Sequence, residues 1–465
     1  MKMVRSNAPS LKGRIADAAP ERFFWDRTAR FCVNHLARGT SFGGRLAELA
    51  GRSVVVATSS QLTSALALIE LDGVARRLTI LPPDTAPDHL GALLACAEAD
   101  AVVIDEGTPA HAAFDLALRV VCAPAVVPAE VHAPPQAQTE WVLLTSGTSG
   151  VPKMAVHSLA SLIAPIGAGQ HLDGAVVWGT FYDIRRYGGL QIFLRTIVGG
   201  ASLVLSSAGE PIAEHLTRLG RCGVTHLSGT PSHWRRALMS PEIGKISPLY
   251  VRLSGEIADQ AILDSLRATF PEAGIGHAYA ATEAGVAFEV SDGLAGFPAD
   301  FLDHDRDGVE LKLVDGALRI RSPRTAQRYL GAQQAPLRDG DGFVDTGDMV
   351  ERHGDRYVFA GRRGGIINVG GLKIHPEEIE AVINRHPQVR MSLVRPKQNP
   401  VTGSIVIADV VLKADCARSG GEQQIKDDIL ELCRDVLPRH KVPATISIVP
   451  ALDVAATGKL ARRYG

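Results

Sequence analysis

Aromatic residues make up only 5% of this 465-residue chain, and its six cysteines fall in neither a Cys-x-x-Cys nor a zinc-ligand spacing. Cys32, Cys96, Cys122, Cys222, Cys416 and Cys433 are scattered, which excludes a zinc ribbon or a disulfide framework and points to reduced, mostly buried thiols. Neither sign of charge is in excess, with 49 Lys and Arg against 50 Asp and Glu. That balance gives no electrostatic case for nucleic acid or for an anionic membrane. No apolar run approaches the ~18 residues of a membrane span. Met1 to Pro20 carry basic residues but no apolar core of a secretory signal, so a cytoplasmic protein is expected. Internal repeats and low-complexity tracts are also missing.

What is present is globular: 46% hydrophobic and 21% charged residues. The length exceeds one ordinary core, so two or three domains are expected. Apolar runs at 53–57, 78–81 and 101–104 read as strands and 64–71 as a helix, an alternation that suggests parallel α/β layers. A proline-rich stretch at 124–135 links this layer to an apolar run at 141–144. The alternation resumes over 175–290, and a β-rich segment runs from Asp315 through Phe359. A glycine-flanked basic link at 361–365 marks the sharpest boundary. Beyond it, Pro376 suits a first helical turn, Glu377 and Glu378 suit its positive end, and Ile379, Val382 and Ile383 share one face. The expected class is α/β: a large domain over 1–361 of layered α/β subdomains plus the β-rich segment, and a small α+β domain over 362–465.

The most informative residues run from Thr145 through Ser146, Gly147, Thr148, Ser149 and Gly150 to Lys153. Hydroxyls, closely approachable backbone N–H groups and a cation are what a polyphosphate needs, although a polar surface turn has the same composition. A P-loop is excluded, because Pro152 precedes the lysine and Met154 follows it. Tyr279, Thr282 and Glu283 place an aromatic ring, a hydroxyl and a carboxylate within five positions. The ring can stack on a purine and the carboxylate can hold magnesium beside phosphates; a core tyrosine and a helix cap would read the same. Asp348, in Thr-Gly-Asp, lies fourteen residues before Arg362.

Together these motifs resemble the adenylate-forming superfamily, which includes acyl-CoA ligases, luciferases and the adenylation domains of peptide synthetases. The resemblance spans residues 144 to 462, with the first 130 less distinctive. It implies that Thr145, Ser146, Gly147, Thr148, Ser149, Gly150 and Lys153 hold the phosphates of ATP. It implies further that Ser254, Gly255 and Glu256 border the adenine, Tyr279 packs on it, and Thr282 touches the α-phosphate. Glu283 would bind Mg2+, and Asp348 and Arg362 would hold the ribose. Lys459, in Ala-Thr-Gly-Lys near the C-terminus, would align the acid, making Lys459, Glu283 and Thr145 the catalytic set. Gly370 and Gly371 resemble the loop that closes over the pantetheine arm of coenzyme A.

Two departures stand out. Ala280 replaces the usual glycine after the tyrosine, which narrows the expected acyl pocket. At the hinge, Arg363 is followed by Gly364 where many relatives have an acidic residue, and faster but less sharply defined domain alternation is expected from it. The resemblance also places Arg186, Tyr187 and Gly188 at the acyl pocket, with His277 nearby. Arg186-Tyr187 stands where amino-acid activators keep Phe-Asp, so a non-amino carboxylic acid is expected. Arg186 either pairs with a second acidic group or is solvated. The expected activity is an acyl-CoA ligase using ATP, Mg2+ and coenzyme A, as a monomer or homodimer. The alternatives are an enzyme that loads a carrier protein and, in another class, a non-catalytic nucleotide-binding regulator.

Overall fold

In a computed structural model the described residues are 10–15, 20–108, 114, 116, 118–129, 138–145, 152–166, 176–331, 336–369, 371–399, 403–413, 421–455 and 457–462. The apolar runs become two large sheets. The first runs in the order Gly285–Val290, Gly274–Ala281, Tyr250–Ser254, His226–Gly229, Val177–Thr180, Ser202–Val204, Phe23–Trp25, Arg30–Cys32. Its central strands are parallel, and both of its faces are covered, which is why they read as continuous apolar runs rather than alternating ones. The second sheet centres on Ser53–Val56, Arg77–Ile80 and Glu140–Leu144, all mutually parallel.

The helix Gln61–Leu71 is buried along its whole length, and its core takes residues from both sheets, such as Val54 and Leu78 from one and Phe24 and Leu203 from the other. Ser60 starts the helix by accepting from Leu62 N and Thr63 N, a cap worth about 1 kcal/mol. This helix begins three residues earlier than the sequence pattern suggests because Gln61, Leu62 and Thr63, though mixed in polarity, are also buried.

The β-rich segment is a five-stranded antiparallel sheet containing Ala317–Arg321, Val344–His353 and Arg356–Arg362. Arg362 closes its last strand, and a short 3-10 turn, Arg363–Gly365, leads away. The small C-terminal unit follows. The helices Pro376–Ile383 and Glu422–Val436 cover a sheet of Val389–Asn399, Gly403–Leu412 and Thr445–Ile448 around its own apolar core. Among the described residues no helix is long and apolar enough to cross a membrane.

Candidate active site

The Tyr279 strand, Gly274–Ala281, ends where three elements of the large domain converge. The Tyr279 ring lies 4.8 Å from that of Phe359 at 16°, and its hydroxyl donates to Asp348 Oδ2 at 2.5 Å. Arg362 Nε donates to the other oxygen, Oδ1, at 2.8 Å. Asp348 and Arg362 are direct cross-strand partners, so the fourteen-residue spacing is the length of one antiparallel hairpin. Burial and the Asp348 charge push the Tyr279 hydroxyl well above its usual pKa, while Asp348 raises that of Arg362.

Glu283 sits in the turn after this strand and accepts from the Tyr329 hydroxyl at 3.3 Å. Lys153 Nζ lies 5.0 Å above the same tyrosine ring, so phosphate-loop lysine and carboxylate meet across one side chain. The Thr282 carbonyl accepts from His157 Nε2 at 2.8 Å. Burial lowers the His157 pKa to about 4, so this histidine is a neutral positioning group at neutral pH. Sequence reasoning missed both Tyr329 and His157, each remote in sequence from the residue it serves. Thr145 follows the strand Glu140–Leu144, and its N–H donates to Lys153 O at 2.9 Å. Ser146, Gly147, Thr148, Ser149 and Gly150 lie outside the described residues, as does Gly370.

The C-terminal segment enters this site. Thr230 Oγ1 donates to the Gly458 carbonyl at 2.5 Å, and Leu460 N donates to Glu256 Oε1 at 2.8 Å. These two bonds flank Lys459, whose Cε packs close over Gly255. Glu256 also accepts from Ser232 N and Oγ. Its carboxylate therefore clamps the lysine loop to the large domain. Lys459 is enclosed by protein yet still reached by solvent, as befits a side chain lining an open cleft. Desolvation and the Arg362 charge hold its pKa below 10.5, against the pull of Glu256, Asp348 and Glu283.

Further contacts hold the small domain in place. Arg235 Nη1 donates to the Arg390 carbonyl at 3.1 Å, and Asn384 Nδ2 donates to Asp259 Oδ2 at 3.0 Å. Arg462 forms a bidentate pair with Glu380 at 2.8 and 2.6 Å within the small domain.

Around the expected acyl pocket the residues separate. Tyr187 is buried beside His157 and Val286, and Val286 pairs with Ala280. Gly188 faces the Tyr182 ring. Arg186 pairs with Asp84, an acidic partner within the chain. His277 bonds to the Leu294 carbonyl at 3.0 Å. It shares the Tyr279 face, opposite to that of Ala280, because neighbouring strand side chains alternate and an odd spacing separates the two.

At the hinge, Arg363 pairs with Asp345 at 3.2 Å. Gly364 does not use positive φ in this pose, and an added Cβ there would meet nothing within 4 Å. Gly364→Asp is therefore expected to leave thermal stability unchanged within about 0.5 kcal/mol. A calorimetric scan checks this, and any rate change in the variant then reports domain alternation rather than folding. Gly371, at φ +87°, completes the turn between Ile367–Val369 and Leu372–Ile374.

Among the described residues no cluster of three or more His, Cys, Asp or Glu side chains forms a metal cage. A lone carboxylate such as Glu283 suits Mg2+, which commonly binds one or two carboxylates together with substrate phosphates.

This cleft, walled by a large α/β domain and closed by a lysine from a small one, matches known proteins. The model of the AMP-binding enzyme family matches residues 48–330, and that of the AMP-binding enzyme C-terminal domain matches 378–459. The chain belongs to the AMP-binding enzyme family. A 4-coumarate–CoA ligase of Oryza sativa subsp. japonica is 26% identical over 69% of this chain and 60% of its own length. A 2-succinylbenzoate–CoA ligase of Salmonella typhimurium is 26% identical over 69% of this chain and 67% of its own length. The chain spans about 60% of the length of the Oryza sativa ligase and of several other curated CoA ligases and synthetases it matches. Two solved structures share the fold at a TM-score of 0.77. An anthranilate CoA ligase in complex with anthranoyl-AMP is 17% identical, with 99% of this chain and 97% of that one covered. An amide bond synthetase from Marinactinospora thermotolerans is 20% identical, with 97% of both chains covered.

Proposed function

We propose that the protein activates a non-amino carboxylic acid with ATP as an acyl-adenylate and transfers the acyl group to the thiol of coenzyme A. The observation that carries this reading is the docking of Lys459 between Thr230 and Glu256, in one cleft with Glu283, Asp348 and Arg362. A carboxylate is a poor acyl donor because its leaving group would be oxide. In the first half-reaction its oxygen attacks the α-phosphorus of ATP and pyrophosphate leaves. The chain's task is to position the reactants and to neutralise charge. Lys459 holds the acid's carboxylate against the phosphorus, Thr145 and Lys153 face the outer phosphates, and Asp348 with Arg362 fixes the ribose. Mg2+, held by Glu283 and phosphate oxygens, supplies further charge neutralisation when bound. In the second half-reaction the thiol sulfur attacks the carbonyl carbon and AMP leaves with the acid's former oxygen. Rotation of the small domain about 363–365 would withdraw Lys459 and bring Gly370 and Gly371 toward the cleft.

The relatives named as CoA ligases support coenzyme A as acceptor, while the amide bond synthetase shows that the fold also serves another acceptor. The test is to incubate the enzyme with ATP, Mg2+ and a panel of aliphatic, aromatic, dicarboxylic and amino acids, with and without coenzyme A. Pyrophosphate exchange with a non-amino acid, followed by an acyl-CoA in the mass spectrum, is the expected result. Exchange without thioester would replace coenzyme A by a carrier-protein pantetheine. Absence of exchange with every acid would overturn the catalytic reading in favour of a nucleotide-binding regulator.

A further inference from the structure

The first sheet meets the helix Tyr187–Gly199 through a contact that should be apolar and is not. Along Tyr250–Ser254, alternation turns Tyr250, Arg252 and Ser254 to the helix side. Across the sheet, Arg252 lies opposite Gly276, and Glu289 lies opposite Ala278 on the same face. The helix answers with Tyr187, Gln191 and Arg195, at successive spacings of four, which share one side. Arg324 reaches in from beyond the sheet, donating to the Val286 and Ala287 carbonyls at 3.1 and 3.2 Å.

Two guanidinium groups, Arg252 and Arg195, therefore share the one carboxylate of Glu289, and the Arg324 charge adds to theirs beside Arg195. Glu289 accepts from Arg252 Nε at 3.0 Å and from the Tyr250 hydroxyl. Arg324 is left with a distant, exposed Asp307 at 3.8 Å, and the Arg195 guanidinium has no hydrogen bond or ion pair among the described residues. Among the described residues of this cluster, Trp178 Nε1, Tyr187 Oη, Arg195 Nε, Arg252 Nη2 and Arg324 Nε are buried without a hydrogen-bond partner. Buried polar groups are normally satisfied, and an unpaired cationic donor is the costliest exception. Burial and the nearby Arg252 charge lower the Arg195 pKa to about 10, which leaves it a cation at neutral pH.

This cluster lies directly behind the reacting centre. Lys459 packs over Gly255, the preceding Ser254 accepts from the Tyr182 hydroxyl at 2.7 Å, and Arg252 is two residues further along the strand, about 7 Å. The Arg252 charge acts on both Tyr182 and Tyr187, so the cluster adjoins the start of the helix assigned to the acyl pocket. An acid whose carboxylate meets Lys459 would point its other end at Arg252 and Arg195.

We propose that the substrate is a dicarboxylic acid whose second carboxylate, separated from the first by a few carbons or one ring, is bound between Arg195 and Arg252. This rests on the acid-activating function proposed above. The second carboxylate would supply the missing negative charge and accept from the unpartnered arginine donors.

The test is acid-dependent ATP–pyrophosphate exchange with pairs of acids matched in length, one member carrying the distal carboxylate and the other a methyl group. The diacid is expected to have a kcat/KM at least about 100-fold higher, because a site built around buried donors rejects an analogue that leaves them unpaired. Arg195→Leu is expected to bring that ratio close to one by raising KM for the diacid, with KM for ATP unchanged. Monoacids as good as or better than every diacid would overturn the inference while leaving acid activation standing. Equal losses for both acids in Arg195→Leu would also overturn it, and the wild-type comparison decides alone if that variant does not fold. No exchange with any acid would instead overturn the function on which the inference depends.

Discussion

Gly458→Ala is expected to lower acid-dependent pyrophosphate exchange by about 100-fold or more, since misplacing a catalytic group by an ångström costs that much. It should still convert a supplied acyl-adenylate to thioester. Gly458 has φ +75°, which L side chains rarely adopt, and a Cβ there would lie 1.9 Å from His233 Cε1. His233 cannot easily yield. It stacks on Phe181 at 5.6 Å and 20°, and its N–H donates to Thr230 Oγ1 at 3.0 Å in a capping box. The Lys459 loop must then rise from its seat, and Thr230 loses the Gly458 carbonyl. The second half-reaction does not use this seat, so the two rates should separate. His233→Ala in the same chain opens the space and should restore part of the exchange. Equal loss of both half-reactions would show that the glycine matters for folding rather than for docking.

Lys459→Ala has the other large expected effect, a fall of about 100- to 1000-fold in exchange, the scale of removing one preorganised electrostatic contact. Thioester formation from supplied adenylate should again survive. The pH dependence follows from the lowered pKa. The reaction needs the cation, which is lost as pH rises through a value below 10.5, so the alkaline limb should fall earlier than for a free lysine. Enclosure beside Arg362 favours the neutral amine, so docking of the cation is penalised at neutral pH. The acid's carboxylate and the phosphates of ATP offset that penalty, and substrates should therefore stabilise the docked pose. Lys459→Arg should move the alkaline limb upward. Stopped-flow exchange across pH checks both points, and an alkaline limb identical in Lys459→Arg would assign it to another group.

Features carried by contiguous residues were legible in the sequence. The Tyr279, Asp348 and Arg362 constellation came from two short motifs, and one hairpin brings its ends together. The strands and the Pro376 helix followed from apolar runs and a first-turn proline. Contacts that depend on long-range pairing were not legible. Glu256 meets Leu460 across 204 residues, Thr230 meets Gly458 across 228, and His157 meets Thr282 across 125, with no periodic signal for any of them. The separation of His277 from Ala280 follows from the parity of a strand, which nearness in sequence conceals. The buried arginines were invisible for a further reason: a lone Arg195 or Arg252 reads as surface until the fold encloses it.

Oxygen tracing tests the central claim most directly. With an accepted acid labelled by 18O in its carboxylate, turnover with ATP and coenzyme A should place one labelled oxygen in AMP and none in pyrophosphate. Label in inorganic phosphate together with ADP, or AMP free of label, would contradict an acyl-adenylate route through this cleft.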